Sequence, residues 1–188
     1  MTLGLPARAR PLSSASRVMA VLGACAALAG CGGVVSDRFP PACPHAGILA
    51  DAADLTRYRH GTSGHDLTDM VLDGRITGVA GTCSRNGRLV DVTVAVSMQL
   101  SRGPAAGRGR AEVPFFVAVT RNGDVLDKQI YRVIPGFAPN ADSTRLTSDP
   151  VILTLPTSSS QPSSGFDVVV GFQLTPEEVA FNRRRGPR

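Results

Sequence analysis

From residue 89 to residue 100 the chain alternates in character. Val90, Val92, Val94, Val96, Met98 and Leu100 are apolar, and Asp91, Thr93, Ala95, Ser97 and Gln99 between them are polar or small. A period of two puts the first set on one face of a strand and the second on the other. Asn86-Gly87 separates this run from an earlier one, and Asn-Gly is preferred where both central residues of a two-residue hairpin turn need positive φ. That turn pairs Cys83 with Val90 and puts the cysteine on the apolar face. Asn122-Gly123 repeats the device between 113–121 and 124–134, and Phe115, Val117 and Val119 alternate in the first arm. Later strands are expected over 150–155 and 165–174, joined by a Ser/Pro loop at 156–164. Shorter ones are expected over 47–50 and within 55–59.

The period changes near the end. Thr175-Pro176-Glu177-Glu178 has Thr as N-cap, Pro at the first helical position and Glu at the third, the pattern of a capping box. A short helix follows, with Val179, Ala180 and Phe181 available to pack and arginines at its C-terminal end. Repeated short strands with close turns predict an all-β fold. Its expected form is a single antiparallel β-sandwich, immunoglobulin-like in outline, with a short C-terminal helix. No internal repeat is present. The chain has no tryptophan, and so no cysteine pair flanking one, which excludes a true immunoglobulin domain.

The first thirty-one residues follow a different rule. Residues 1–17 carry Arg8, Arg10 and Arg17 and no acid, and residues 18–30 are uncharged and mostly small and apolar. That run suits the hydrophobic core of a signal peptide and is too short to span a bilayer as a helix. It ends in Leu28-Ala29-Gly30-Cys31, which resembles the bacterial lipobox. The chemistry requires a thiol, because sulfur carries the diacylglycerol, and small residues, because the peptidase must reach the backbone. The resemblance implies cleavage before Cys31 and lipidation of that cysteine. Cys25 leaves with the leader. Residue 32 is Gly and not Asp, which by the enteric sorting pattern implies the inner leaflet of an outer membrane, facing the periplasm. Several acyl chains on one residue exceed the two signals that stable anchoring needs.

Three parts are therefore expected: a lipoprotein signal peptide at 1–30, a tether at 31–42 and a β-sandwich domain with C-terminal helix and basic tail at 43–188. Removing thirty residues from 188 leaves 158, one domain's worth. The formal charge of +5 falls to +2, because the leader carries three arginines and no acid. Without Arg183, Arg184, Arg185 and Arg188 the domain body is −2, so the basic balance is no argument for nucleic-acid binding. Those four arginines complement the helix C-terminus. They are also candidates for contact with an anionic membrane surface, where each gains on the order of 1 kcal/mol within a Debye length. The tether, twelve residues from Cys31 to Cys43, reaches at most about 40 Å. Lys128 is the only lysine against nineteen arginines; with the abundant Ala and Gly this reflects a GC-rich genome.

Cys43 and Cys83 remain after Cys31, and an even pair in an oxidising compartment reads as a disulfide. Competing readings are a free thiol or half of a metal site. Other candidate chemistry is weak. Ser63, His65 and Asp66 are too close in sequence for a relay geometry, and neither G-x-S-x-G nor Ser-x-x-Lys occurs, so a turn is the better reading. His45, His60 and His65 lack ligand spacing for copper or zinc and read as solvated loop residues. The glycine-rich stretch 103–110 lacks the Gly-Lys-Ser/Thr ending of a phosphate loop, and Pro114 and Phe115 after it open a strand. Glu177 and Glu178 serve the helix start and suggest no glycosidase.

Cys43-Pro44 with Ile48-Leu49-Ala50-Asp51-Ala52 and Leu55-Thr56, and Gly171-Phe172-Gln173-Leu174-Thr175 with Glu178 and Asn182-Arg183, resemble segments of alphaproteobacterial lipoproteins. The resemblance spans most of the mature chain and implies no activity. The expected function is that of a non-enzymatic interaction or envelope-structural lipoprotein, without cofactor, joined to the membrane by its lipid and to an envelope protein partner. The alternative is a periplasmic carrier of a small ligand or metal ion.

Overall fold

The strict alternation at 89–100 forms one arm of the longest hairpin in a computed structural model that describes residues 43–59, 61, 66–107 and 111–186. Residues 1–42, which hold the expected signal peptide, Cys31 and the expected tether, lie outside the described residues. The strands are β1 (His45–Ile48), β2 (Asp54–Tyr58), β3 (Met70–Asn86), β4 (Leu89–Arg102), β5 (Val113–Arg121), β6 (Asp124–Val133), β7 (Ser143–Thr147), β8 (Val151–Pro156) and β9 (Asp167–Phe172). One helix, α1 (Pro176–Arg185), closes the described chain. The strands form two sheets, an all-β sandwich with a short C-terminal helix. One sheet runs β1-β9-β5-β6; in the other, β2-β3-β4 is extended by β7 and β8, which share the far edge of β4. Pairing is antiparallel except between β1 and β9, which run parallel.

The even positions of β4, from Val90 to Leu100, are all buried. They meet Phe115, Val117 and Val119 of β5 and Val168, Val170 and Phe172 of β9 in one core. Each such side chain contributes about 1.5–3 kcal/mol by leaving water. The outer face of β5 is not solvated either. Phe116 and Ala118 pack there with Ala52, and Leu174 closes over them. Gly171 makes this second layer possible, because a Cβ there would stand 2.7 Å from the Ala52 Cβ and 2.8 Å from the Phe116 ring.

Two local expectations need correction. The β3–β4 turn is centred on Gly87-Arg88 and not on Asn86-Gly87: Asn86 pairs with Leu89, and Cys83 stands opposite Val92 rather than Val90. Gly87 has φ 59°, whereas Arg88 is not among the residues with positive φ. The turn thus needs one left-handed residue, at its first central position, which glycine supplies without a Cβ penalty. The shift is two residues, so Cys83 keeps its face. At the second hairpin Asn122 (φ 53°) and Gly123 (φ 90°) are both left-handed, as the Asn-Gly pair predicts. The first strand begins at His45, which therefore opens a strand and is not a loop histidine, although it is exposed.

Candidate functional site

Both hairpin tips lie at one end of the sandwich, and its two margins there differ. On one margin Cys43, just before β1, is bonded to Cys83 of β3, with Cα atoms 5.8 Å apart. That separation is within the usual disulfide range of about 4.4–6.8 Å. The bond ties the edge of the first sheet to the second. On the opposite margin β6 and β8 are the edge strands, and between them lies a cleft of about 420 Å³. Its volume falls within the range of about 300–1,000 Å³ typical of small-molecule sites.

Val119, Leu153, Leu155 and Phe166 line the cleft with side chains continuous with the main core. Leu126 and Ile152, at its rim, are exposed, Ile152 to 68%. Leu126 is the extra residue of a bulge: Val119 pairs with Asp127 while Thr120 pairs with Val125. A bulge bends an edge strand and re-aims its side chains, here into the cleft.

Two charged residues border the cleft. Arg121 stands with its guanidinium carbon 5.6 Å from the centre of the Phe166 ring. Among the described residues Arg121 makes this cation–π contact and no hydrogen bond or ion pair. Asp127 accepts a hydrogen bond from Gln129 Nε2 at 3.2 Å, and Gln129 Oε1 accepts one from the Tyr131 hydroxyl at 3.0 Å. Burial, and then the Asp127 carboxylate, push the Tyr131 phenol above its ordinary value. It stays a hydrogen-bond donor at neutral pH.

The arginine tail does not form a free set. Arg183 Nε meets Asp51 Oδ2 at 2.7 Å, and Arg185 meets Asp54 Oδ2 at 3.4 Å and donates to Thr56 Oγ1 at 3.2 Å. Arg184 is exposed, and Arg188 lies outside the described residues. The helix is also held by Asn182, which donates to the backbone oxygens of Asp51 and Asp54 at 2.9 and 2.7 Å. Thr56 pairs with Asp73, ten residues along β3 from Cys83. At about 3.3 Å per residue the helix thus attaches roughly 30 Å from the disulfide end. The Thr175 capping box is present, with Glu178 N–H donating to Thr175 Oγ1 at 3.2 Å and Thr175 N–H to Glu178 Oε2 at 2.8 Å.

A shallow polar hollow on the outer face of the second sheet is lined by Asp73, Arg75, Gln99 and Ser101. Asp73 there accepts from Thr56 at 3.0 Å, and Arg75 pairs with Asp54 at 2.9 Å. Of the residues Ser63, His65 and Asp66, only Asp66 is described, just before a short 3-10 turn. His60 and His65 lie outside the described residues, as does part of the stretch 103–110. Among the described residues no group of three or more His, Cys, Asp or Glu is placed to hold a metal ion. Nor is any helix among them long and apolar enough to cross a membrane. The cleft escaped the sequence because its walls come from β5, β6, β8 and the segment before β9. Of the exposed apolar residues of β6, Leu126 lines it and Val125 and Ile130 do not.

No protein-family model, curated protein or solved structure matches this chain.

Proposed function

We propose that the protein is a bacterial envelope lipoprotein, anchored through lipid on Cys31, whose sandwich is a non-enzymatic binding module facing the periplasm. The observation that carries this is Leu28-Ala29-Gly30-Cys31 at the end of a basic and then apolar leader. Gly32 favours the inner leaflet of an outer membrane. The domain then sits within about 40 Å of the lipid, the reach of the tether. Its partner is an envelope protein, and the domain body of charge −2 gives no reason to expect nucleic acid.

The β6–β8 margin supports binding as the domain's task. Val125, Leu126, Ile130 and Ile152 are large apolar side chains left exposed on the two edge strands, where a folded domain ordinarily limits such surface. The same margin favours a second reading, a carrier of a small apolar ligand, because the cleft opens there. Affinity capture of the anchored protein from its own cells, beside a Cys31→Ala control, tests the first reading. One envelope protein enriched with the wild type and lost with the variant is expected. Equal recovery by both would count against a membrane-held binding module.

A further inference from the structure

We infer that the β6–β8 cleft is a binding site for a single-chain amphiphile with an anionic head. The chain lies between the sheets against Val119, Leu153, Leu155 and Phe166, and the head sits on Arg121. This holds whether or not Cys31 is lipidated, since every group involved belongs to the sandwich.

The floor of the cleft is apolar at Val119, Leu153, Leu155 and Phe166, while Gln129, Thr154 and Gln161 stand in its walls, so a hydrocarbon chain gains by lying along the apolar side. The two sheets are joined by the disulfide on the far margin, so the cleft walls are held while the β6–β8 margin remains open. The charge pattern selects the head. Arg121 has no carboxylate partner among the described residues, and its guanidinium is oriented by the face of Phe166. A guanidinium so placed keeps its fork of N–H donors for a carboxylate or phosphate. Asp127, the other charge at the rim, is bonded to Gln129 and repels an anion. It therefore confines the head to the Arg121 side. A neutral head would leave Arg121 unmatched, and a cationic one would be repelled by it.

The test uses the purified full chain in phosphatidylcholine vesicles. It is offered photoreactive palmitate, photoreactive lysophosphatidate or the corresponding photoreactive alcohol, and the adducts are mapped by mass spectrometry. Expected are adducts within 119–127, 152–156 and 166 from the anionic probes, with labelling by the alcohol about tenfold lower, the loss of one charge-assisted contact. Whichever anionic probe labels more strongly identifies the head as carboxylate or phosphate. Arg121→Gln should reduce labelling by a similar factor and Arg121→Lys should restore part of it. Both substitutions are at the rim, and unchanged thermal melting verifies the fold. Equal labelling by acid and alcohol, indifference to Arg121→Gln, or adducts spread over exposed residues such as Ile134 would each overturn the inference.

Discussion

Arg185 on α1 lies 3.4 Å from the Asp54 carboxylate on β2, and the Asp54 side chain is only 6% exposed. Arg75 of β3 donates to both oxygens of the same group, at 2.9 and 3.2 Å. One buried acid thus joins the C-terminal helix to two strands of the second sheet. The Arg185 side chain, 24% exposed, is thus engaged in an ion pair within the domain.

The pairing sets an order of effects. Asp54→Ala leaves two cations facing each other without their acid and should cost about 3 kcal/mol. Arg185→Gln leaves Asp54 paired with Arg75 and should cost about 1 kcal/mol. Arg184→Ser, at an exposed position, should cost nothing measurable. Urea unfolding of the three variants checks the order. Similar losses at Arg184 and Asp54 would contradict it.

The second core layer is tested at Gly171. A methyl group there meets Ala52 and the Phe116 ring within 3 Å. Gly171→Ala should destabilise by about 1–3 kcal/mol through overpacking. Adding Ala52→Gly removes one of the two clashes, so the double variant should recover part of that loss in the same unfolding experiment. A Gly171→Ala protein as stable as wild type would mean that the outer face of β5 is not packed.

The Cys43–Cys83 bond closes a separation of 40 residues. Its reduction should lower stability by about 4 kcal/mol in the chain-entropy account. Non-reducing peptide mapping should recover the two cysteines in one linked peptide pair. Two alkylatable thiols in the native protein would refute the bond.

Glu177 makes stability depend on pH in the acid range. A bond to its own backbone N–H, and then one with the Thr175 side chain, hold its carboxyl below the ordinary value of 4.5, with slight desolvation opposing. A depressed carboxylate contributes stability that is complete above its unfolded value. That contribution is lost as pH falls through the folded one. Wild type should therefore melt above Glu177→Gln at neutral pH, and the gap should narrow below pH 4.5. A gap that widens in acid would reverse the assignment.

Much of this architecture was legible from local chemistry. The alternation of β4, the Asn122-Gly123 turn and the Thr175 capping box are each decided within a few residues, and each is where the sequence predicts it. The centre of the first turn was not, because Asn86-Gly87 and Gly87-Arg88 both offer a glycine and keep the same strand faces. β7 was missed since Ser143–Thr147 has no apolar alternation; it is an exposed edge that gains its structure from pairing with β4. The parallel β1–β9 pair, the layer behind Phe116 and the cleft all depend on which distant strands become neighbours. No period within a strand records that.

Lipid on Cys31 is what would hold the sandwich at a membrane. Cells producing the wild-type chain and the Cys31→Ala variant should be grown with labelled palmitate and their proteins compared. The expected result is label on the wild type, at a size matching loss of the first thirty residues, with an unlabelled and uncleaved Cys31→Ala chain. A wild-type protein that takes up no fatty acid, or a Cys31→Ala chain that is still labelled, would contradict the claim that this sandwich works from a lipid anchor.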